Sequence, residues 1–83
     1  MNVEEVAGAL TAFVNTDIMA RGHPIWATDN LEAAGVDSMA LLKVLLFVER
    51  RFGFWMPDED LVEDNIGSLQ SLADYICRRE SVS

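Results

Sequence analysis

From Met39 to Val48 the chain is apolar apart from Lys43, and a polar pair, Asp37-Ser38, stands directly before that run. Within it, Leu41, Val44, Leu45, Val48 and the following Phe52 recur at helical spacing and form one stripe. Met39, Leu42 and Leu46 form a second stripe, rotated from the first because successive residues turn by about 100°. The pattern predicts a helix over Ser38–Phe52, ended by Gly53, with Arg50 and Arg51 in a last turn where the dipole favours cations. A helix apolar on two faces is either deeply buried or meets a partner. A small domain cannot easily bury both faces, so the first stripe is assigned to the core and the second is expected to be half covered.

The same reading extends to both sides. Val3, Val6, Ala7, Leu10, Phe13, Val14 and Ile18 lie on one face of a predicted first helix running from about Asn2 to Ala20. Asn2 is its candidate cap, and Arg21, Gly22 and Pro24 are its stop signals. A long connection follows from Gly22 to Asp37, broken by Pro24, Asp29, Asn30 and Gly35. Loops of this length are pinned by their own side chains or carry function. Ile25, Trp26, Leu31 and Val36 are the expected pins, with a single turn through residues 31–34 opened by Thr28 or Asp29 and closed by Gly35. Beyond Phe54-Trp55-Met56, Pro57 begins a short predicted helix over about Asp58–Val62, with Leu61 inward, then a turn at Asn65–Gly67. Ser68 caps a last helix reaching about Arg79, whose buried face is Leu69, Leu72, Ala73 and Ile76, and Glu80 to Ser83 are expected to fray. Repeats and low-complexity segments are absent from the sequence.

Length and charge narrow the class. Eighty-three residues predict a single domain spanning 1–83. One cysteine, Cys77, excludes an intrachain disulfide, so the core must come from the 51% apolar residues. The net charge of −8 argues against nucleic acid and against anionic membrane surfaces, and points to a protein partner with a positive patch. The acids Glu4 and Glu5 stand where a signal peptide needs positive charge, and the run at Met39–Val48 is too short to span a bilayer. The expectation is a cytoplasmic monomer.

Candidate chemistry is sparse. Asp37-Ser38 reads in two ways: Ser38 as a plain helix cap, or a Ser38 hydroxyl exposed at a helix start that receives a phosphate group. Local chemistry by itself favours the cap. A hydrolase nucleophile fits poorly, because Gly35-Val36-Asp37-Ser38-Met39 lacks the second glycine of the nucleophile elbow and the only histidine, His23, lies in the loop. The acids Asp58, Glu59, Asp60, Glu63 and Asp64 lack calcium-loop spacing and read as a solvated face. Cys77, Trp26 and Trp55 read as packing residues.

The order of features along the chain reverses that local preference. Leu31, then Gly35-x-Asp37-Ser38-Met39, then an apolar helix ending Val48-Glu49-x-x-Phe52-Gly53, then Met56-Pro57-Asp58-Glu59, then Ile66-x-Ser68-Leu69-x-x-Leu72-Ala73-x-Tyr75-Ile76 resembles the acyl carrier protein family over nearly the whole chain. The resemblance implies an all-α fold, a four-helix bundle of acyl-carrier type with a long first loop and a short third helix. It implies that Ser38 carries 4′-phosphopantetheine, donated from coenzyme A by a phosphopantetheinyl transferase, with Asp37 as the supporting acid. The arm's thiol then holds an acyl or aminoacyl thioester loaded by a ligase and passed to a downstream acyltransferase or synthase. The chain is then a carrier and substrate, not a catalyst. Met39, Leu42 and Leu46 fall where the family meets its partners, and Lys43 joins them.

Fatty-acid carriers usually have acids where this chain has Ala40 and Lys43, and acids also where Arg50 and Arg51 end the helix. Charge on that helix selects partners, so a dedicated carrier with an aminoacyl or specialised acyl cargo is expected. The alternative from another class is a small acidic helical interaction domain in which Ser38 is only a cap.

Overall fold

The computed structural model describes residues 2–18 and 24–82, with residues 80–82 as backbone alone. It is all-α: helices α1 (Val3–Phe13), α2 (Ser38–Phe52), α3 (Glu63–Ile66) and α4 (Leu69–Val82) form the bundle, and no strand occurs among the described residues. The resulting body measures 38 × 24 × 21 Å.

Helix α1 begins as its sequence dictates. Asn2 is extended, and its side-chain oxygen accepts the Glu5 amide at 2.8 Å. Val6, Ala7 and Leu10 are buried, and α1 packs chiefly against α4. After Phe13 the winding widens into a π-helical segment, Val14–Ile18, in place of the expected α-helix. Asn15 in this segment clamps Ile25 of the long loop: its Oδ1 accepts the Ile25 amide at 2.9 Å, and its Nδ2 donates to the Ile25 carbonyl at 3.2 Å. The expected stop at Arg21-Gly22 lies outside the described residues.

The loop is pinned by Ile25, Leu31 and Val36, all buried, but not by Trp26, which is 75% exposed. Asn15 holds both backbone groups of Ile25, whose side chain takes the inward place, and Trp26 is left outside. The turn through residues 31–35 is opened by Asn30 rather than by Thr28 or Asp29: its side chain accepts the Ala33 amide at 2.8 Å. Asp29 instead accepts the Trp26 amide at 2.8 Å. Gly35, with φ of 96°, closes the turn, the Val36 amide reaching back to Leu31 and the Gly35 amide to Glu32. Two backbone bonds dock the loop on the start of α4: Leu31 N–H to Gly67 C=O and Gln70 N–H to Ala27 C=O, both 2.8 Å.

Helix α2 has the expected bounds. Gly53 takes the left-handed conformation with φ of 71°, and its amide bonds the Glu49 carbonyl. Val44, Leu45 and Val48 are buried, while Leu41 and Phe52, near the two ends, are only half-buried. Phe47 stacks on Phe13 of α1 with centroids 4.4 Å apart. The next segment departs further from expectation. Met56 is buried and Trp55 is 49% exposed, so neither tryptophan packs inside. The helix expected over Asp58–Val62 is a 3-10 turn, Asp58–Asp60, with Leu61 half-buried. The short helix falls later, at Glu63–Ile66, where a turn was expected. An extended Val62 starts it and accepts the Asn65 and Ile66 amides, while Asn65 Nδ2 donates to the Asp60 carbonyl at 2.9 Å.

Ser68 and Ser71 cap α4 reciprocally: each hydroxyl accepts the other's amide at 3.1 Å. Leu69, Leu72, Ala73 and Ile76 are fully buried as expected, and Cys77 is buried. The helical backbone continues to Val82, past the expected end at Arg79.

Tyr75 in α4 donates its hydroxyl to the Asp60 carboxylate, pulling the acidic 3-10 turn onto the bundle. Burial, then the bond to Asp60, raises the phenol above its ordinary pKa of 10.0. Raising the folded pKa makes stability fall as pH climbs from 10.0 through the folded value, while below 10.0 the contribution is fully present. Phenolate absorbance should therefore appear above the free-tyrosine range and together with loss of helical circular dichroism. Tyr75→Phe should remove this alkaline step and lower neutral-pH stability by about 1–2 kcal/mol.

Candidate functional site

The start of α2 is built by Gly35, Val36, Asp37 and Ser38. Gly35 reverses the chain and buried Val36 anchors it. Asp37 is extended and is the cap: its Oδ1 accepts the Ala40 amide at 2.9 Å, and its carbonyl accepts the Leu41 amide at 2.9 Å. The cap role foreseen for Ser38 therefore belongs to its neighbour. Both are good capping residues, and the helix starts one residue earlier than a serine cap requires. Ser38 is the first helical residue, and it is exposed. Its hydroxyl stands at the positive end of the helix dipole, where a phosphate ester is favoured.

A cavity of about 380 Å³ opens beside this hydroxyl. Val36, Leu41 and Ile66 are among its apolar lining, and Asp37, Glu32 and Glu63 supply carboxylates. Along α2 the second stripe is solvent-facing: Met39 is 68%, Leu42 44% and Leu46 43% exposed, with Lys43 exposed beside them. Ser38 and this stripe thus share one helix.

The remaining candidates lie elsewhere. His23 falls outside the described residues. Asp58, Glu59, Glu63 and Asp64 are exposed, and Asp60 is half-buried. No group of His, Cys, Asp or Glu among the described residues is arranged to hold a metal ion. No helix among them is long and apolar enough to cross a membrane. Sequence reasoning missed the caps at Asn30 and Asp37 and the clamp by Asn15. Asn30 and Asp37 each precede by three positions the amide they bond, which is the local signal for such caps.

The small helical bundle thus exposes the Ser38 hydroxyl at the capped start of α2. The chain matches the model of the family described as phosphopantetheine attachment site over residues 9–76, and it belongs to that family. It is accordingly a phosphopantetheine-bearing carrier, the arm being held covalently. No curated protein matches the chain.

Proposed function

We propose that Ser38 is the attachment point of the 4′-phosphopantetheine arm and that the chain carries an aminoacyl or specialised acyl group between partner enzymes. The observation that carries this reading is the division of labour at the start of α2. Asp37 satisfies the helix, so the exposed Ser38 hydroxyl has no capping duty and is open to a phosphopantetheinyl transferase using coenzyme A. The rival reading, an interaction domain with Ser38 as a cap, is less favoured because Asp37 makes the side-chain cap bond. When bound, the arm supplies a thiol that holds the cargo as a thioester. The residues around it have separate tasks: Asp37 fixes the helix start, Gly35 and Val36 hold the approach, and the exposed stripe receives enzymes.

A cargo other than an ordinary fatty acid is favoured by Lys43 and by Arg50 and Arg51, which stand where fatty-acid carriers usually have acids. The partners are then a transferase, an acyl- or aminoacyl-ligase, and a downstream acyltransferase or synthase. Offering the modified protein to candidate ligases with amino acids and fatty acids tests the cargo directly. A mass increase confined to ordinary fatty acids would overturn the assignment of an aminoacyl or specialised acyl cargo.

The stripe has its own test. Leu42→Asp should slow arm transfer by about tenfold or more, the usual scale for a central contact, with helical circular dichroism unchanged. Unfolding of this variant would show that Leu42 belongs to the core.

A further inference from the structure

The exposed face of α2 has a polarity that specifies its partner further. At about 100° per residue, Met39, Leu42 and Leu46 lie within roughly 60° of one another. Lys43 and Arg50 lie along one flank of this stripe, about two turns or ~10 Å apart along the axis. Glu49 lies on the other flank, and all of these residues are exposed. The chain has six basic residues against fourteen acidic, yet two of the six line this single edge.

We propose that this face docks a protein partner whose apolar groove is edged by carboxylates on the Lys43–Arg50 side alone. The proposal rests on the reading of the stripe as a partner face and adds the charge of the surface that meets it. Charge separation decides the point. At physiological ionic strength the screening length is about 8 Å, so Lys43 and Arg50 set the charge of this edge against acids farther off, while Asp37 at the N-terminal end of the helix accepts the Ala40 amide. Apolar contact at Met39, Leu42 and Leu46 supplies affinity, and the flanking cations select the partner and its register. Glu49 repels the same carboxylates if the partner docks the other way round, which leaves one orientation favoured.

The test uses the whole unmodified chain and two synthetic amphipathic helical peptides, followed by backbone amide resonances at physiological ionic strength. Both peptides carry a leucine stripe, one flanked on a single side by glutamates and the other by glutamines at the same places. The glutamate peptide should shift the Met39, Leu42, Leu46 and Arg50 amides and bind about three- to tenfold tighter than the glutamine peptide, as two exposed ion pairs allow. The Lys43→Glu/Arg50→Glu variant, checked for unchanged circular dichroism, should reverse that order. Equal binding of both peptides on α2 would overturn the charge assignment and keep the face. Failure of either peptide to shift α2 would overturn the face itself. No arm is needed for this titration, so neither failure bears on the attachment at Ser38, and a failed attachment leaves the titration standing.

Discussion

Ser38→Ala should abolish arm attachment while leaving the fold nearly untouched. Incubated with coenzyme A, Mg²⁺ and a broad phosphopantetheinyl transferase, the wild-type chain should gain the mass of one arm and the variant none. The exposed Ser38 side chain does not cap α2, so its loss should change stability by no more than about 0.5 kcal/mol. Asp37→Ala should behave in the opposite manner, costing about 1 kcal/mol by freeing the Ala40 amide while retaining a hydroxyl for the arm. Thermal melts beside the intact masses separate the two roles. A wild type that stays unmodified while a control carrier is loaded would sink the attachment proposal. A Ser38→Ala variant that melts like Asp37→Ala would show the cap to be shared.

The second large effect lies in the core. Leu72 is fully buried in α4, and Leu72→Asp should unfold the chain. A protein of this length has roughly 4–12 kcal/mol of stability at ~0.05–0.15 kcal/mol per residue. An unpaired carboxylate in an apolar interior costs several kcal/mol even after its pKa rises to neutralise it, and the lost leucine packing adds about 2–5 kcal/mol. Leu45→Asp should act in the same way, since Leu45 is buried against the same cluster. Phe52→Asp should be milder, because Phe52 is half-buried at the end of α2. Circular dichroism of the purified variants checks this, and a cooperative native melt for Leu72→Asp would contradict the packing described above.

Those elements whose limits are written locally were legible in the sequence. Helix α2 lies between Asp37-Ser38 and Gly53, and its stripes are separated by periodicity alone. The buried face of α4 was legible for the same reason, and Ser68 marks its start. Apart from the local caps at Asn30 and Asp37, what escaped was set by contacts that no helical period marks. Trp26 is apolar enough to be a core residue, but the Asn15 clamp on Ile25 gives the inward place to its neighbour. Helix α3 is flanked by the bond from Asn65 to the Asp60 carbonyl and by the bond from Leu31 of the long loop to Gly67, and neither follows a helix-cap spacing. Along α2, the sequence placed Ser38 at the helix start and left the stripe of Met39, Leu42 and Leu46 half covered, as the structure has them. It could not choose between two adjacent capping residues, and the proposed attachment at Ser38 draws its support from that one-residue difference.

The two outward tryptophans have a spectroscopic consequence. Both indoles meet water in the native bundle, Trp26 on its hydrogen-bonded turn and Trp55 beyond α2. Native emission should already be red-shifted, and unfolding should move it little, so fluorescence melts will understate the transition that circular dichroism records. A blue shift in this protein would instead report an arrival, some apolar surface closing over an indole.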